Sequence, residues 1–81
     1  MRRVSGENDP DGVLRILGEA IRRSRLQCEI SQEALADLAE IDRSHMGRIE
    51  RGERNVTILN LRKISNALNV SMAALLSDAR L

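Results

Sequence analysis

The chain has 81 residues, 42% of them hydrophobic and 31% charged, and a formal charge of +1. One domain of that length buries only about 60% of the surface its unfolded form exposes, so a lone subunit is marginal and a dimer attractive. The single cysteine excludes an internal disulfide, one His and one Cys make no zinc cluster, and the absence of aromatic residues removes the stacking platforms that unpaired bases need. Apolar runs are too short to span a bilayer, and the two arginines near the start have no apolar stretch behind them, as a signal peptide would. The expectation is a cytoplasmic protein that uses no metal and no cofactor.

Residues 1–10 are polar and without periodicity, and read as a flexible arm ahead of a folded unit over 11–81. Asp9-Pro10 reads as a cap followed by proline in the first helical turn. From there Leu14, Leu17, Ile21, Ser24 and Cys28 recur at spacings of three and four, one buried face of a helix running to about Gln27. Cys28 on that stripe reads as a small buried thiol.

Ser31 offers an oxygen to the bare amides of a second helix, with Leu35, Leu38 and Ala39 on its apolar side and Glu33, Asp37 and Glu40 on its acidic side. Asp42 caps a third helix, in which Met46 and Ile49 face inward and Gly52 supplies a left-handed stop. After a loop over 53–56, Thr57 caps a fourth helix with Leu61, Ile64 and Leu68 as core positions, ended by Asn69. Ser71 caps a last short helix carrying Met72, Leu75 and Leu76. With no strand signal, the fold class is all-α, a compact five-helix bundle that contains a helix-turn-helix.

The third helix carries the function. All but one of the 13 basic residues are arginine, and Arg43, Arg48, Arg51 and Arg54 fall within a dozen residues. With Met46 and Ile49 inward, helical spacing places Arg43, Ser44, Gly47 and Arg48 together on the outward side. A helix of this kind fits the major groove of double-stranded DNA, where an arginine fork meets guanine O6 and N7. Gly47 costs the helix about 1 kcal/mol against Ala, explained equally by close approach to a groove wall or by packing against another helix. His45, beside these residues, reads either as a surface contact to the DNA backbone or a base edge, or as having no role. Glu50 lies partly inward and needs a partner; Arg25, four residues after Ile21, is placed to supply it as a structural ion pair between the third and first helices.

The segments Ser31-Gln32-Glu33-x-Leu35-Ala36, Asp42-Arg43-Ser44 and Ile49-Glu50-Arg51-Gly52 resemble the Cro/repressor (XRE) helix-turn-helix family over about residues 15–77. Asp42-Arg43-Ser44-His45 and Glu50-Arg51-Gly52-x-Arg54-Asn55-Val56-Thr57 are most similar to the controller proteins of restriction–modification systems. The resemblance implies a lambda-repressor-like domain that binds a palindromic operator as a homodimer and regulates transcription, here of a restriction–modification operon. It implies base reading by Arg43, Ser44 and Arg48, backbone contacts by Ser31, Gln32, Arg54 and Asn55, and a dimer contact around Met72, Leu75 and Leu76. In relatives that activate, it implies that Glu33 and Asp37 touch RNA polymerase. Cys28-Glu29 departs from the family's basic residue and glycine, so Glu29 either carries left-handed strain or the turn differs. The competing reading is an antitoxin or other protein-interaction module built on the same bundle. An enzyme would need a nucleophile–base pair or a metal site that one His and one Cys on different faces do not supply.

Overall fold

The computed structural model describes residues 9–81; most of the expected arm, residues 1–8, lies outside the described residues. Among the described residues the chain forms α1 (Val13–Gln27), α2 (Gln32–Ala39), α3 (Arg43–Glu50), α4 (Ile58–Ala67) and α5 (Met72–Asp78), with no strand. From α2 onward each helix begins where a side-chain oxygen meets a bare amide. Ser31 accepts from the Ala34 amide at 3.0 Å, Thr57 from Asn60 at 3.1 Å and Ser71 from Ala74 at 2.9 Å. Asp42 accepts from both Ser44 and His45, at 3.0 and 3.2 Å. Such caps contribute about 1 kcal/mol each.

α1 starts differently from the expectation. Pro10 is not in the first helical turn; Asp9-Pro10-Asp11-Gly12 forms a tight turn, closed by the Gly12 amide on the Asp9 carbonyl at 3.0 Å. Gly12 takes φ +65°, and the Asp9 carboxylate caps α1 from across the turn through the Val13 and Leu14 amides at 2.9 and 3.0 Å. Proline's fixed φ suits the second residue of such a turn as well as it suits a first helical turn.

α1 packs on α3, α5 and α2, and α2 lies between α3 and α4. Ile21, Leu35, Met46, Ile49 and Ile64 are fully enclosed at the centre, with Leu17, Leu61, Leu68 and Leu75 closing the core around them. Two expected core positions are displaced. Leu38 is 62% exposed, because the inward face of α2 is Leu35, Ala36 and Ala39, whose small residues let α3 and α4 come close. Leu38 stands beside a shallow groove with Lys63, Asn66 and Ala67. Cys28 is an exposed thiol rather than a buried one. It follows the last residue of α1, and its Sγ meets the Leu68 carbonyl at the end of α4 at 3.9 Å.

The links α1–α2 and α2–α3 each turn on a glutamate in the left-handed region, Glu29 at φ 57° and Glu40 at φ 56°. Glu29 therefore keeps the left-handed turn and bears its strain, about 1–2 kcal/mol for a residue with a Cβ. Part of the relief from a glycine is offset by the added freedom of the unfolded chain. Glu29→Gly and Glu40→Gly are each expected to stabilise the fold by about 0.5 kcal/mol, a rise in melting temperature of about 2–4 °C. A fall in a thermal melt would show that these side chains hold a contact worth more than the strain.

Candidate nucleic-acid interface

α3 is eight residues long, about 12 Å, and a helix with its side chains is about 10–12 Å across, a thickness the DNA major groove admits. Its start is fixed by Asp42, which also accepts the Ser44 hydroxyl at 2.8 Å. The Ser44 hydroxyl and the His45 amide together hold the Asp42 carboxyl below its ordinary value of 3.8. A carboxylate in this place also suits the positive end of the helix.

The buried side of α3 is Met46, Gly47, Ile49 and Glu50. Ser44, Arg48 and Arg51 stand four and three residues apart and share the outer side. Ser44 and Arg51 are exposed and Arg48 half-buried. Arg48 has no ion pair or side-chain hydrogen bond among the described residues, and its guanidinium is unengaged. Arg51 reaches Glu53 at 3.2 Å, and Arg54 donates to the Glu53 carbonyl at 3.2 Å, so the loop after α3 gathers two arginines around one residue. Asn55 is exposed in the same loop. The sequence motifs give Arg51 no contact, although its spacing of seven from Ser44 puts it on this side.

Arg43 lies about a quarter turn from that outer side, on the flank toward α2. Its guanidinium Nη2 meets Glu33 at 3.0 Å and Asp37 at 3.7 Å, which brings together three residues that the sequence presented in two separate roles. Gly47 is buried rather than outward. A Cβ there would sit 3.2 Å from both Gln32 Oε1 and Arg51 Nη1, the ends of two flexible side chains. His45 is half-buried on the opposite flank, near Glu40, Ile41 and Asn60, and its Nε2 is enclosed without a hydrogen-bond partner.

Beneath α3 lies a buried polar network. Arg25 Nε donates to Glu50 Oε2 at 2.8 Å and Nη2 to Oε1 at 3.1 Å, a two-pronged pair with side chains only 9% and 3% exposed. The remaining Arg25 nitrogen donates to the Ile30 carbonyl at 3.1 Å, and Gln32 Nε2 donates to Glu50 Oε1 at 3.1 Å. The pair thus ties α1, the α1–α2 turn, α2 and α3 to one point. Gln32 is drawn inward by it, whereas Ser31 stays exposed at the head of α2.

Two glycines set how closely α1 approaches α3 and its following loop. A Cβ on Gly18 would fall 2.5 Å from the carbonyl oxygens of Ile49 and Glu50. One on Gly52, which also takes φ +76° after α3, would fall 2.6 Å from Arg15 Cα. The contact made by Gly18 has no signature in the sequence, where a glycine within a helix looks merely unfavourable.

Residues 21–75 match the family model described as helix-turn-helix. The chain is 37% identical to the control protein C.MunI of a Mycoplasma species over 62 residues, covering 75% of this chain and 84% of that one. It is 42% identical over 62 residues to the control protein C.SmaI of Serratia marcescens, covering 76% and 74%. The crystal structure of the restriction–modification controller protein C.AhdI from Aeromonas hydrophila superposes with a TM-score of 0.75 at 40% identity, over 76% of this chain and 94% of that one. No helix among the described residues is long and apolar enough to cross a membrane. With this fold, this α2–α3 pair and relatives matched over most of their length, the chain belongs to the restriction–modification controller proteins of the helix-turn-helix family, DNA-binding regulators of transcription and not enzymes.

Proposed function

We propose that the chain binds a two-part palindromic operator as a symmetric homodimer and regulates the restriction–modification operon that contains its own gene. The observation that carries this reading is the unengaged Arg48 beside Ser44 on the outer side of a helix whose inner side is pinned by Arg25 and Glu50. Arg48, Ser44 and Arg43 read base edges in the major groove. Ser31 at the head of α2 and Arg54 and Asn55 after α3 grip the phosphates on either side. Gln32 contributes less to that grip than the resemblance implies, since it is held by Glu50, and His45 less than a surface contact would, since it is half-buried near Asn60.

The dimer contact uses the α5 side of the bundle, supported by the half-buried Met72 and Leu76. Leu75, 2% exposed, fills the subunit's own core and shapes that surface from beneath. Ile58 and Leu59 at the start of α4, 65% and 72% exposed, are further apolar surface for a partner subunit to cover. Half-sites then lie about one helical turn, 34 Å, apart. Glu33 and Asp37 on the outer side of α2 face RNA polymerase when the regulator activates, and a DNA target places the protein in the cytoplasm.

Gel shifts with the DNA upstream of the gene test this assignment. Arg48→Ala is expected to lose about 1–3 kcal/mol on the operator and little on unrelated DNA. Arg54→Ala is expected to weaken all sequences alike and to lower the salt dependence of binding. Equal losses on every sequence for both variants would remove the division between reading and gripping, and no shift at low salt would remove DNA binding itself.

A further inference from the structure

We propose that Glu33 and Asp37 withhold a base-reading side chain: they hold the Arg43 guanidinium against α2 in the free protein, and operator binding transfers it from the two carboxylates to a base edge. The proposal rests on the reading role given to Arg43 above. Its own basis is the placement of three side chains. Glu33 and Asp37 stand four residues apart on one side of α2 and bracket a single nitrogen, Arg43 Nη2, at 3.0 and 3.7 Å. That nitrogen belongs to the first residue of α3, on the flank toward α2 rather than on the side shared by Ser44, Arg48 and Arg51. In the transfer the guanidinium leaves the α2 flank, and its fork turns to guanine O6 and N7.

The strengths of the two contacts set the direction of the exchange. All three side chains are more than 60% exposed, and an ion pair of that exposure shifts an equilibrium by about fivefold at most. A two-pronged contact to guanine is worth about five- to a hundredfold. Two such pairs together are worth about twenty-five-fold at most, so a strong guanine contact draws the guanidinium off them, and the carboxylates reduce the net gain. Binding is reciprocal, so operator occupancy also empties the acidic pair. The carboxylates assigned above to a polymerase contact are then free of Arg43 only on the DNA-bound protein.

The test is a double-mutant cycle on the full chain, with operator affinity measured by fluorescence anisotropy. Glu33→Gln with Asp37→Asn is made with Arg43 present and again in the Arg43→Ala protein. Removing two negative charges tightens binding in both backgrounds by easing repulsion from phosphate. A further gain of about two- to fivefold is expected only where Arg43 is present. Equal gains in the two backgrounds would overturn the transfer, leaving the acids as general repulsion. Weaker binding in the Arg43 background would also overturn it, since the acids would then aim the arginine rather than withhold it. If Arg43→Ala alone leaves base preference unchanged while Arg48→Ala alters it, the reading role of Arg43 fails, and the transfer with it, while DNA reading by α3 stands.

Discussion

Glu50→Ala is expected to lower stability by about 3–5 kcal/mol, because it leaves the Arg25 charge buried without its partner. A domain of this length has roughly 4–12 kcal/mol in all, so the loss is a quarter of it or more, and at the low end most of the chain would be unfolded at ordinary temperature. The loss goes beyond one ion pair. Glu50 accepts two Arg25 donors and the Gln32 amide, so its removal leaves three N–H groups short of an acceptor between α1, α2 and α3. DNA affinity would fall as well, as a consequence of lost folding and of a loosened α3. Replacing both partners, Arg25→Met with Glu50→Met, is expected to recover most of the stability, since an apolar pair avoids the desolvation cost. Denaturant titration separates the cases. A Glu50→Ala protein within 1 kcal/mol of the native chain would show that water or rotation rescues Arg25, and that the pair is not what holds α3 down.

That ion pair was readable because its warrant is local. A carboxylate one turn past Met46 needs a cation, and Arg25 borders the helix stripe that faces it. The caps were readable for the same kind of reason: an oxygen at Ser31, Asp42, Thr57 or Ser71 meets an amide two or three residues on, whatever the rest of the chain does. Asp9-Pro10-Asp11-Gly12 carries the pattern of a tight turn, with proline second and glycine fourth, which outweighs the helical reading of Asp-Pro alone. Leu38 and Cys28 mark where periodicity ends as a guide. It identifies a side of a helix but not the angle at which neighbours pack on it, nor where their cover stops.

The interface was legible in its residue types and less so in its geometry. Arg43 and the pair Glu33 and Asp37 were read as serving two different partners, bases and polymerase, and the structure joins them in one contact. Spacing within α2 and within α3 is arithmetic, but the angle between the two helices decides which flank of one meets which side of the other. His45, readable from sequence as either a surface contact or a residue without a role, is half-buried near Asn60 of α4, a neighbour that spacing within α3 does not reveal.

Gly18→Ala sets local preference directly against packing. In an isolated helix alanine is favoured over glycine by about 1 kcal/mol, so propensity alone makes this a stabilising change. In the bundle the new methyl would lie 2.5 Å from the carbonyl oxygens of Ile49 and Glu50 and 2.8 Å from the Glu50 carbonyl carbon. These are backbone atoms at the end of α3, and no side-chain rotation can move them away. Relief requires α1 and α3 to separate, which strains the Arg25–Glu50 pair below and the Gly52–Arg15 contact beyond. Overpacking of this kind costs about 1–3 kcal/mol and more where the neighbour is rigid, so the net expectation is a loss of about 2 kcal/mol. The melting temperature should then fall by about 8–16 °C. Well below the melt, operator affinity should fall too, because Arg48 and Arg51 ride on the displaced turn. A higher melting temperature would mean that the two helices part at little cost, and that the seat of α3 on α1 does not fix the reading side.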